Sequence, residues 1–112
     1  MSHTFEAMEE HKARFGLEAS RELAEFSLNY IQRTADQLET LLLNGESKAA
    51  AKYAHKALGA VRLYGTPKLE MLLCRVRDNS YGPETRHNLQ HELLDEFSQV
   101  DEALREWLAQ VP

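Results

Sequence analysis

His55 stands in a stretch from Lys48 to Arg62 that carries Lys48, Lys52, Lys56 and Arg62 and no acidic residue. That local sign is opposite to the chain's, which holds 18 acidic against 13 basic residues for a formal charge of -5. Steps of three and four residues put Lys48, Ala51, Lys52, His55, Gly59 and Arg62 on one face of a helix. A helix built for stability alone prefers alanine to glycine inside it by about 1 kcal/mol. Gly59 thus leaves bare backbone one turn beyond an imidazole. A histidine that attacks phosphorus must be neutral, the form exposed imidazoles mostly hold at pH 7. Nearby cations then steady the dianionic phosphoryl group through charge-assisted hydrogen bonds. Lys52, Lys56 and Arg62 are the candidates for that support. Lys48, Ala51, Leu58, set at a semi-exposed angle, and Gly59 are the candidates for a surface that receives a partner.

Other chemistry-bearing residues carry weaker patterns. His87 and His91 lie one turn apart with Asp95 one turn further, a spacing that can ligate zinc but lacks a fourth ligand. HELLD, residues 91–95, lacks the second histidine of the zinc-protease helix, and no metal site is expected. His3 and His11 read as surface residues. Cys74 sits among leucines, so burial is expected over nucleophilic use.

Positioning these residues falls to helices. The chain has three prolines and five glycines, so its breaks are few. A short amphipathic segment, with Phe5, Met8 and Phe15 on one side, ends at Gly16. From Leu17 to Leu43 runs a stripe of Leu17, Ala24, Leu28, Ile31, Ala35, Leu38 and Leu42, a single helix of roughly 40 Å. Asn44 and Gly45 suit its C-terminal cap, and Ser47 the next N-cap. A third helix over 48–64 turns Ala50, Ala54, Ala57, Val61 and Tyr64 inward. Thr66 and Pro67 open a fourth, with Leu69, Leu72, Leu73 and Val76 inside. A last helix, from about Glu84 to Ala109, carries Leu89, Leu93, Phe97, Val100, Leu104 and Leu108 inward, with Trp107 near its end. The expected fold is all-α: an antiparallel four-helix bundle with an additional short N-terminal helix. Residues 1–112 form one domain, the N-terminal helix over 1–14 and the bundle over 15–109.

Composition narrows function. A net negative charge argues against nucleic acid as partner. No apolar run reaches the roughly 18 residues of a membrane span, and MSHTFEAMEEHKARF lacks the apolar centre of a signal peptide. With a single cysteine the expected address is the cytoplasm. Beginning at Met1 and ending just past its last helix, the chain reads as free-standing.

AHKALGAVRLYGTPKLEMLLCRVRD, residues 54–78, resembles the core of histidine-containing phosphotransfer (HPt) domains. Their signature helix reads approximately Ala-His-x-Leu-Lys-Gly-x-Ala, followed by a glycine and an apolar helix with a frequent cysteine. His55 matches the phosphorylated histidine, Gly59 the small residue one turn on, Gly65 the closing glycine and Cys74 the buried position. LETLLLNGE resembles the preceding helix and turn, so the likeness spans about residues 15–108. The chain departs at Leu58, where the family usually has lysine, and at Ala57, in the usual leucine position. Lys52 and Arg62 are better placed than Lys56 to replace that charge. The resemblance implies a carrier in a two-component phosphorelay and not a stand-alone enzyme. It would exchange a phosphoryl group between His55 and the aspartate of a response-regulator receiver domain, with a hybrid sensor histidine kinase upstream. It needs no cofactor of its own, because the receiver supplies Mg2+, and it acts as a monomer. The alternative is a degenerate HPt-like adaptor that binds a receiver or kinase without phosphotransfer. As such an interaction module it would be an adaptor, or a dimer formed through leftover apolar surface such as Phe5, Phe15 or Trp107, with the basic His55 face as a docking patch for an acidic partner.

Overall fold

Ser2 begins the helical part of the chain, its Oγ accepting a hydrogen bond from the Phe5 N–H at 3.0 Å. In a computed structural model that describes residues 2–112, five helices follow: α1 (His3–Phe15), α2 (Leu17–Leu43), α3 (Ser47–Val61), α4 (Pro67–Arg77) and α5 (Arg86–Gln110). The described residues contain no strand. None of the helices is long and apolar enough to cross a membrane.

The joints follow from a few residues with unusual backbone freedom. Gly16 alone separates α1 from α2, at a φ of 90° that disfavours any side chain. Gly45, at φ 71°, reverses the chain after α2; its N–H reaches the Leu42 carbonyl (3.2 Å) and the Glu46 N–H reaches back to the Leu41 carbonyl (2.9 Å). This double closure satisfies carbonyls that the helix end would otherwise leave open. Glu46, not Ser47, occupies the N-cap of α3, and no side chain caps it; Ser47 is already helical. The third helix also ends at Val61, three residues before the expected Tyr64, where the Tyr64 N–H turns to the Val61 carbonyl three residues back (3.2 Å) and tightens the turn, and the Gly65 N–H closes onto the same oxygen. A Cβ on Gly65 would lie 2.7 Å from that carbonyl oxygen, so glycine is sterically required there. Thr66 caps α4 as its sequence position predicts: its hydroxyl accepts from the Leu69 N–H (3.0 Å) and donates to Glu96 Oε2 (2.7 Å).

Helix α2 packs along α5 and α3 along α4, while α1 lies against both α2 and α5. The particle measures 46 × 22 × 19 Å, so its length is roughly that of the 27-residue α2 at 1.5 Å per residue. Ala50, Ala54, Ala57, Val61 and Tyr64 are buried, as are Leu69, Leu72, Leu73 and Val76. Four placements correct the sequence reading. Trp107 is 0% exposed, because α1 closes over the end of α5; it offers no docking surface. Phe15 is 63% exposed, away from the packed side that Met8 and the partly buried Phe5 form. Cys74 is half-buried at the core's edge. Ser20, Ser27 and Thr34 form a buried hydroxyl seam on α2 that an apolar stripe does not reveal.

Two members of that seam meet partners on other helices and loops. Ser20 Oγ lies 2.6 Å from His11 Nδ1, and Ser27 hydrogen-bonds Tyr64. Burial of Tyr64, 2% exposed, pushes its phenol up to about 12, against the opposing Ser27 bond. The neutral ring therefore contributes its full stabilisation below pH 10, and loses it as pH rises towards 12, because the unfolded chain ionises first. Two pKa units correspond to a total of about 2–3 kcal/mol. Urea unfolding at pH 9 and at about pH 11.5 should show the wild type losing roughly 2 kcal/mol more than Tyr64→Phe. Equal losses in both proteins would contradict this account.

Candidate functional site

Helix α3 is amphipathic in a way that fixes which residues reach solvent. Ala54, Ala57, Leu58 and Val61 fall at steps of three and four residues and are all buried, so their common face is held against the rest of the fold. Lys48, Lys52, His55, Lys56, Gly59 and Arg62 are exposed, and Ala51 is half-buried beneath them. Leu58 is a correction: at 2% exposure it packs under the site and offers no contact area to a partner. The inward face is wider than the alanine stripe alone implied.

His55 borders an open depression with Lys48, Ala51, Lys52 and the turn from Gly45 to Ser47. Among the described residues its one lining side chain from outside α3 and that turn is Arg77, at the C-terminal end of α4. Sequence reasoning missed Arg77. The signal was present in helix lengths: an 11-residue helix returning antiparallel from Pro67 ends level with the first turns of α3. Arg77 Nε and Nη2 donate to the Asp78 carboxylate at 2.9 and 3.2 Å. The basic residues predicted around His55 do not all converge. Lys56 lines a separate groove between α2 and α3 with Tyr30, Arg33 and Tyr53. Arg62, the residue capping the end of α3, is absent from the walls of the depression. Lys52 and Lys48 are thus the α3 cations that share the depression with the imidazole, opposed by the single carboxylate of Glu46. No salt bridge of the described residues occupies Lys48 or Lys52.

Gly59 differs from Gly65 in physical kind. A Cβ built on Gly59 would meet nothing within 4 Å, so neither packing nor backbone geometry requires the glycine. The helix gives up stability for open space beside His55. Gly59→Ala should raise the unfolding free energy by about 0.5–1 kcal/mol. Chemical denaturation measures it, and a loss of stability would reveal a constraint the geometry does not contain.

His87, His91 and Asp95 stand exposed along α5, with Asp95 accepting a hydrogen bond from Gln99. Among the described residues no three His, Cys, Asp or Glu side chains are placed to share a metal ion. His3 is exposed, whereas His11 is partly buried, its ring centroid 4.6 Å from that of Phe15.

Comparison with protein-family models, with curated proteins and with solved structures returns no match to this chain.

Proposed function

We propose that the chain is a phosphocarrier of the histidine-containing phosphotransfer type. In this reading α2 to α5 form an antiparallel four-helix bundle, α1 is an accessory helix, and the protein works as a cytoplasmic monomer. The observation that carries the proposal is the exposed His55 ring beside a side-chain-free Gly59, in a depression shared with Lys48, Lys52 and Arg77.

The partner would be a response-regulator receiver domain phosphorylated on aspartate, itself charged by a hybrid sensor histidine kinase. A neutral ring nitrogen of His55 attacks phosphorus with its lone pair. The bond between phosphorus and the aspartyl oxygen breaks, and the carboxylate leaves with the bonding electrons. The ring's other N–H then releases its proton to solvent, and the return reaction reverses each step. Phosphoryl transfer depends chiefly on positioning and charge stabilisation, so a carrier need present only the nucleophile and its electrostatic surroundings. Mg2+ would enter with the receiver, on that domain's own acidic residues. On this side Lys52 stabilises the transferred group, Lys48 and Ala51 border the approach, and Gly59 leaves room for the receiver's loop. Lys56 and Arg62, which do not line the depression, have no assigned part in this step.

Leu58 favours the second reading, a degenerate adaptor that docks without accepting phosphate, because its inward side chain leaves the resembled lysine position without charge. Incubation with phosphorylated receiver domains separates the two. Label on the chain that is acid-labile and base-stable supports the carrier; receiver binding without such label supports the adaptor.

A further inference from the structure

We propose that Arg77 is an anion-binding residue of the His55 depression and that the Asp78 carboxylate competes with an incoming oxyanion for it. Arg77 reaches the depression from α4, across the packed α3–α4 pair, and lines it together with Lys48, Lys52 and His55. Its guanidinium is a planar fork that matches phosphate geometry, which the lysines provide only as point charges. In the free protein two of its five N–H donors are given to Asp78.

The clasp is local and exchangeable. Adjacent residues on a helix do not face each other, and this pair meets only because Asp78 has left the helix, at φ -89° and ψ 1° as the C-cap of α4. A helix C-terminus favours a cation and disfavours a carboxylate, so Asp78 gains nothing from its position except Arg77. Both side chains are open to water, 34% for Arg77 and 54% for Asp78, where an ion pair is screened and readily replaced. The Arg77 hydrogen bonds hold the Asp78 carboxyl below the usual carboxylate range, so Asp78 is an anion at neutral pH. A phosphoryl group carries nearly twice its charge and more acceptor oxygens, and displaces it when delivered to His55. Asp78 thereby holds two of the guanidinium's donors at the edge of the depression until such an anion arrives. The physiological anion, phosphate on His55, rests on the carrier reading; the competition itself does not.

Inorganic phosphate is the probe. Titrated into the full chain at fixed ionic strength and followed by NMR, it should move the Arg77 Nε–H and the His55 ring signals with one dissociation constant. Asp78→Asn should tighten that constant about three- to tenfold, and Arg77→Gln should weaken it about threefold or more, while Arg105→Gln, remote from the depression, should leave it unchanged. An unmoved Arg77 signal, or affinities equal within about twofold in all four proteins, would overturn the inference. The two proposals fail separately. A chain that takes no label from receivers yet shows this phosphate dependence retains the anion site and loses the carrier role. Label on His55 with a phosphate affinity indifferent to Arg77 and Asp78 does the reverse.

Discussion

On the carrier reading, His55→Gln should abolish phosphoryl acceptance from a receiver domain while leaving the fold intact. Glutamine keeps a polar, hydrogen-bonding side chain of similar reach but has no nucleophilic nitrogen. The loss of label should therefore be complete, and not a slowing of the kind expected when a positioning group is removed. Lys52→Ala, which deletes one cation beside the ring, should slow transfer by about tenfold. The residue is exposed, so His55→Gln should change unfolding free energy by no more than about 0.5 kcal/mol. Rapid-quench transfer from a labelled receiver, with denaturation curves on the same preparations, checks both halves. Label persisting in His55→Gln would remove His55 from the chemistry, and a large stability loss would mean the ring supports structure after all.

The second large effect is structural. Trp107→Ala should destabilise the protein by about 3–5 kcal/mol, the usual range for truncating a fully buried tryptophan. Domains of this size are stable by about 5–15 kcal/mol in total, so the melting midpoint should fall by roughly 10 °C or more. Two losses combine. The indole fills space between α5 and α1, and its N–H donates to Glu9 Oε2 at 3.2 Å, a link between residues 98 positions apart. Glu9 is also bound by Lys12 at 2.8 Å, and these two donors, Lys12 first, hold its carboxyl below the ordinary range. Trp107→Phe keeps much of the ring volume but deletes the donor, and should cost a smaller share, about 1–2 kcal/mol. Circular dichroism melts compare the three proteins. A loss below about 1 kcal/mol for the alanine variant would show that α1 and α5 are not tied through this residue.

The burial of Trp107 also marks where the sequence stops being legible. Along α5 the apolar positions Leu93, Phe97, Val100 and Leu104 define an inner face, and continuing their steps reaches both Trp107 and Leu108. Which of the two is covered depends on α1, whose docking is a tertiary event. Local signals served well where glycine or proline punctuates the chain: α2 runs from Leu17 to Leu43 as its stripe predicts, and Thr66–Pro67 opens α4. They served less well for Ser20 and Ser27, polar residues whose burial depends on partners brought by other parts of the chain, His11 and Tyr64. The candidate site divides along the same line. Exposure of His55 and the openness beside Gly59 follow from helical periodicity on one element. The burial of Leu58, the divergence of Lys56 and the arrival of Arg77 depend on how α2 and α4 pack around α3.

The alanine face of α3 sets a mechanical condition on anything that reacts at His55. Ala50, Ala54 and Ala57 have no side-chain torsions to adjust, so along this stripe, beside the packed Leu58 and Val61, the helix rests on its neighbours through methyl groups and main chain. Such a seat has almost no give. Reach at this position is confined to rotation about the two bonds of the histidine side chain, and any larger approach has to be made by the incoming molecule.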